Sequence, residues 1–183
     1  MANSDTPMGF QPRRHMNGGQ VRMNVYPLAS AYGSNIFTGD AVVLTSGKLA
    51  VATAASAEVL GIFGGCQYTA ADGSVVFSPY WPASTVTLGS ADAVAQVYDD
   101  KGVIFKVQCE TGVAFVLATH NGTLCDLIAT HAGSTVTGQS GQEITPGTTG
   151  DEQFQILQLI DEPGNAVGVN AKVEVKMRDA LFR

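Results

Sequence analysis

Charged side chains are scarce in this sequence: Asp, Glu, Lys and Arg make up 14% of 183 residues, and only ten side chains are Lys or Arg. Soluble domains ordinarily carry nearer a quarter, so the shortage predicts that part of the surface is covered by partners. Ten cations on a chain of net charge −6 cannot line the continuous positive groove that nucleic acid requires, so no nucleic-acid partner is expected. Cysteine is sparse too. Cys66, Cys109 and Cys125 are odd in number, far apart and without a CxxC pair, which excludes a disulfide framework or zinc knuckle and predicts three buried free thiols. No stretch of about 20 apolar residues occurs, so neither a spanning helix nor a membrane partner is expected. The start shows no basic segment, apolar run and small-residue cleavage site, so the expectation is a protein made and kept in the cytoplasm.

Catalytic patterns are missing as well. The paired acids Asp99-Asp100, Asp151-Glu152 and Asp161-Glu162 fall where turns are expected, and adjacent acids on a strand would point to opposite faces. His120, Cys125 and His131 lie close in sequence, but H-x4-C-x5-H is no zinc spacing and a fourth ligand is not evident. Cys109, His120 and Asp126 are hydrolase residue types, yet neither a nucleophile elbow nor an active-site Cys signature surrounds a candidate nucleophile. Gly61, Gly64 and Gly65 are not followed by Lys-Ser/Thr and a helix, so no phosphate loop is present. No catalytic residue, metal or cofactor is expected, and Asn121-Gly122-Thr123 reads as a chance glycosylation triplet.

What is present is β chemistry: 21 Gly and 7 Pro punctuate runs rich in β-branched residues, which predicts an all-β domain. Ile36 to Leu44 and Lys48 to Ala52 flank Thr45-Ser46-Gly47 and read as a hairpin. Glu58 to Tyr68 reads as a strand bulged or bent at its glycines. Ala93 to Tyr98 and Val103 to Gln108, around a polar turn, read as a second hairpin. Gly112 to Ala129 loses the period of two and suggests short helical turns broken at Asn121-Gly122. His131 to Asp151, rich in Gly, Ser and Thr, reads as an exposed loop or a shallow surface excursion. Phe154 to Ile160 and Ala171 to Met177 close the chain as strands, the last with Ala171, Val173, Val175 and Met177 on one side and Lys172, Glu174 and Lys176 on the other. Trp81, between Pro79-Tyr80 and Pro82, is expected at an edge or loop, capping the core or serving as an interface aromatic.

Residues 1–24 differ from the body. Up to Arg22 there are three arginines and one aspartate, and from Met23 onward seven cations and fifteen acids, so the arm carries +2 and the body −8. Pro7, Pro12, Gly18 and Gly19 favour extended or turning backbone. The expectation is an extended arm (1–24) gripping an acidic neighbour, ahead of a β-rich body (25–183).

Gly9 to Gly19 (GFQPRRHMNGG) is similar to the Gly-Phe-x-Pro-x-x-x-x-x-Gly openings of podovirus and siphovirus structural proteins. Gly39 to Gly65 (GDAVVLTSGKLAVATAASAEVLGIFGG) resembles the lambda-type head-stabilisation protein, and Ile156 to Met177 resembles the closing strands of such proteins. The resemblance to tailed-phage capsid decoration, or cement, proteins covers most of the chain. It implies a compact β-barrel or β-tulip, with residues 111–150 as a possible inserted subdomain or set of surface loops. It further implies attachment to the major capsid protein on the outer capsid surface of the virion, where the protein bridges capsomers against internal DNA pressure. Self-assembly as a trimer is expected, with a dimer as the other option. In that setting Arg13, Arg14 and Arg22 are expected to bind coat carboxylates, with Phe10 as apolar anchor; an extended arm reaches roughly 80 Å at about 3.3 Å per residue. The competing expectation is a head-fibre or tail-associated module binding a host glycan on a platform of Trp81, Tyr80 and Tyr68.

Overall fold

The computed structural model describes residues 3–56, 58–130, 132–147, 150 and 152–178. The chain is all-β. In order it forms β1 (Gln11–His15), β2 (Asn24–Leu28), β3 (Ile36–Phe37), β4 (Ala41–Thr45), β5 (Lys48–Val51), β6 (Gly61–Thr69), β7 (Val75–Ser78), β8 (Tyr80–Trp81), β9 (Ala93–Tyr98), β10 (Val103–Gln108), the single turn α1 (Leu117–His120), β11 (Leu124–Ile128), β12 (Glu143–Pro146), β13 (Phe154–Leu159) and β14 (Lys172–Met177).

Two sheets carry the architecture. The first has the order β1-β10-β14-β13-β11-β12; the second runs β2-β9-β6-β4-β5, with β7 also against β6, and β3 pairs with β8 apart from both. The first sheet curls until Cys109, just past β10, bridges Ile144 of β12. One bridge is not a ladder: the expected compact β domain is present, and among the described residues it does not form a closed barrel.

Alternation along strands assigns residues to two cores. In β4 and β6, Ala41 and Ile62 join the side chains of the first sheet, including Phe105, Phe154 and Val175. Their neighbours Val42 and Phe63 point the other way, into a core with Leu28, Leu49, Trp81 and Val97. A strand buried on both faces reads as a continuous apolar run, which is why this part of the sequence lacks clean alternation.

Local expectations hold where turn chemistry decides. Ser46 and Gly47 both have positive φ, the signature of a type I′ turn joining Thr45 to Lys48 across β4–β5. The β6–β9 register slips between Phe63 and Gly65, a bulge at the predicted glycines. On β14, Val173, Val175 and Met177 reach the core, as does Ala171 just before it.

Three expectations correct. β9 and β10 are not a hairpin: β9 pairs with β2 and β6, and β10 with β1 and β14. The turn between them, held by the Gly102 amide donating to Asp100 Oδ1 at 2.7 Å, passes the chain from one sheet to the other. Residues 111–150 are not a separate subdomain, since β11 and β12 belong to the first sheet beside β13. The stretch after His131 is not an exposed loop throughout: Ser140, Gln142, Glu143, Ile144 and Thr145 are buried. Pro146 ends β12 at the sheet edge, a position where proline is tolerated. His131 and Asp151 lie outside the described residues.

Candidate functional site

The N-terminal segment lies on its own chain. Asn3 starts it, its side-chain amide donating to the carbonyls of Ala166 and Val169, both at 2.8 Å, while its Oδ1 accepts from the Ala166 amide. Gly9 comes next, with φ +65°; a Cβ there would lie 2.4 Å from Ser140 Cβ and 2.7 Å from the Gly39 carbonyl oxygen. Only glycine fits that backbone and that space. Phe10 then enters the core, fully buried and stacked on Phe154 with ring centroids 4.3 Å apart, and its amide donates to Gly39 O at 2.9 Å.

β1 follows as the edge of the first sheet, antiparallel to β10, with a register shift between Pro12 and Arg14. Adjacent residues on a regular strand point to opposite faces; a bulge lets both arginines reach one side. Both reach Glu174. Arg13 Nη1 donates to Oε1 at 2.9 Å, and Arg14 grips with two donors, Nε to Oε1 at 3.2 Å and Nη2 to Oε2 at 2.7 Å. A second register shift, between Ile156 and Gln158, brings Gln158 Nε2 to Oε2 at 3.0 Å. The Glu174 side chain is 2% exposed and the arginines nearly half exposed. Hydrogen bonding to Arg14, together with the charges of Arg14 and Arg13, holds the Glu174 carboxyl below the usual carboxylate range despite its burial. Glu162 is handled in the same way on this face: Lys106 Nζ at 2.7 Å and Lys172 Nζ at 3.3 Å share it, and it is lowered chiefly by the Lys106 hydrogen bond.

The expected arm residues therefore divide. Phe10, Arg13 and Arg14 are consumed by their own chain, so an arm of 24 residues reaching roughly 80 Å is corrected: a buried carboxylate and an aromatic slot within the same molecule outcompete extension. Arg22 is exposed. Sequence reasoning missed Glu174 as the acceptor of both arginines, Gln158 as a further donor to it, and Glu162 as the acceptor of Lys106. The one available signal was Glu174, an acid at the centre of the most regular strand in the chain.

Trp81 is corrected as an interface aromatic. It is 0% exposed, donates Nε1–H to the Tyr32 carbonyl at 3.3 Å and meets Tyr68 edge-on at 5.3 Å; Tyr80 stacks on Phe37. The glycan platform of Trp81, Tyr80 and Tyr68 thus has its central ring inside the protein.

A buried carboxylate marks the junction where Gly9, the β3–β4 turn and residues 138–142 meet. Asp40 Oδ2 accepts from the Phe37 amide at 2.8 Å, and Ser140 also hydrogen-bonds its side chain; burial outweighs both and pushes the carboxyl up to about 6. The three cysteines are buried, and burial raises Cys66 and Cys109 to about 12 and pushes Cys125 well up from its ordinary value, so none is a nucleophile near neutral pH. His120 Nδ1 accepts from the Val116 amide at 3.0 Å, and Asp126 Oδ1 accepts from the Glu152 amide at 2.6 Å. Both of these candidate hydrolase side chains are engaged in holding backbone. Among the described residues, no group of three His, Cys, Asp or Glu side chains is placed to hold a metal ion. An open apolar cleft of about 440 Å³ lies between Ala114–Ala118 and Val167–Gly168.

No family model matches the chain, and neither a curated protein nor a solved structure matches it. The fold and site define an all-β protein organised around a self-docked N-terminal segment.

Proposed function

We propose that this chain is a decoration protein of a tailed-phage capsid. In this role it binds the major capsid protein from outside, on the virion surface, and stabilises the shell by contact rather than by catalysis. The supporting observation is what the residues of the Gly9–Gly19 motif do. Gly9 fits where no side chain can, Phe10 plugs the core, and Arg13 and Arg14 neutralise Glu174. Of the residues that carry the resemblance to phage structural proteins, Gly9 and Phe10 are ones on which the seating of this N-terminus depends, while Arg13 and Arg14 stand at positions the pattern leaves open.

This reading moves the contact with the coat. The exposed segment from Met16 to Gln20, with Arg22, replaces Arg13 and Arg14 as the part of the arm that meets coat carboxylates. Among the described residues Arg22 has no ion-pair partner.

Co-sedimentation with expanded, undecorated capsids tests it. Deleting residues 1–24 is the wrong control, because it also removes Phe10 and strands Glu174; Arg22→Glu leaves the seat intact. The expected result is saturable binding of the full chain at a fixed ratio to coat subunits, weakened by Arg22→Glu. Absence of binding by the full chain would overturn the proposal.

A further inference from the structure

On four strands of the second sheet, β2, β9, β6 and β7, the outer face carries no charged residue. On β2, β9, β6 and β7 the positions turned away from the Trp81 core are Val25 and Pro27, Val94 and Gln96, Gln67 and Thr69, and Val75 and Phe77. Cross-strand register sets Pro27, Val94, Gln67 and Phe77 in one row across all four strands. Phe77 is 75% exposed, Val25 66%, Val75 58% and Val94 45%. Uncharged faces with exposed apolar side chains of this kind mark contact surfaces.

The edge of that face is unguarded. Exposed strand edges are ordinarily blunted by proline, lysine, a bulge or a charge, and the other edges of these two sheets obey this. β1 has Pro12, a bulge and two arginines; β12 has Glu143 and Pro146; β5 has Lys48; β2 has Pro27. β7 reads Val-Val-Phe-Ser. It pairs with β6 on one side and, among the described residues, with no strand on the other.

The geometry points to a second copy of this chain as the occupant, added antiparallel along β7 about a two-fold axis normal to the sheet. Centring the axis on Val76 sets Val76 against its mate and Val75 against Phe77 twice over, so apolar cross-strand pairs form on the outer face. Charge favours a copy over a different partner. Two chains of −6 repel wherever their acids meet, and β7, which has no charged residue of its own, lets them meet along an uncharged strand; a strongly charged partner gains nothing from it. A pairing along a strand of four residues is short beside the roughly 800 Å² per partner of a standard interface, so the dimer is expected to be concentration-dependent. This inference stands apart from the capsid reading and replaces the trimer implied by the resemblance.

Light scattering coupled to size exclusion, over a concentration series of the full chain, tests it. The mass should rise from 19.0 kDa to twice that value, while Phe77→Lys, with unchanged circular dichroism and Tm, should stay at the monomer mass. Val76→Cys should form an intermolecular disulfide on mild oxidation, with Val167→Cys, at an exposed position in the β13–β14 connection of the first sheet, giving little. A wild-type mass of 19.0 kDa at every concentration overturns the inference. So does a trimer mass, a dimer that survives Phe77→Lys, or equal crosslinking at the two cysteine positions.

Discussion

The two sheets share one construction principle and treat their solvent faces in opposite ways. On the first, Arg13, Arg14, Lys106 and Lys172 surround Glu174 and Glu162, and β1 covers the edge that β10 would otherwise expose. On the second, no charged residue stands on the outer face of four strands, and β7 is bare. Secondary structure is the same in both; the difference lies in what each edge permits. The first sheet has been closed to further pairing by its own N-terminus. The second retains the features of an adhesive edge.

The comparison breaks most severely at Phe10. Phe10→Ala removes a fully buried ring that stacks on Phe154 and should cost about 3–5 kcal/mol, read as a lower chemical-denaturation midpoint and faster proteolysis ahead of β2. The equivalent exposed ring, Phe77, should show nothing of the kind.

Next comes the charge cluster, where removal of the two signs should be unequal. Arg13→Ala with Arg14→Ala leaves Glu174 buried without a cation and should cost about 3 kcal/mol or more. Glu174→Gln leaves two arginines that water can solvate and should cost less than half as much. Equal losses in urea unfolding would show that the carboxylate is not the dependent partner.

A smaller effect is expected from pH. The folded chain holds a proton on Asp40 up to about 6, while the unfolded chain releases it near 3.9. The folded state therefore binds more protons in that window, and stability should rise by about 2–3 kcal/mol as pH falls through it. Glu174 and Glu162, both lowered, act in the opposite sense: their contribution is complete above the ordinary glutamate value and is lost as pH falls below it. Thermal unfolding should accordingly give a maximum at weakly acidic pH, and Asp40→Asn should flatten the limb between about 6 and 4.

Smallest of all, Phe77→Lys should change monomer stability by less than about 0.5 kcal/mol while raising solubility at high concentration. A large loss of stability would mean that Phe77 belongs to the fold and not to a contact surface.

The features legible in the residues are those fixed within a few positions: the β class, the Ser46-Gly47 turn, the bulge among the glycines of β6, the buried thiols and the two-sided strand at Ala171 to Met177. Each depends on backbone conformation or on a period of two, which a short stretch states completely. The tertiary structure alone decided partners. Nothing within Ala93 to Gln108 says that its two strands part to different sheets, because strand patterns do not name their neighbours. Nor does the arm state its acceptor: Arg14 and Glu174 are 160 positions apart, and two bulges in two different strands bring them and Gln158 together. A basic, proline-containing segment before an acidic body reads equally well as an arm for another molecule. Only the packing shows that the acid it was suited to had been buried, at position 174, within its own chain.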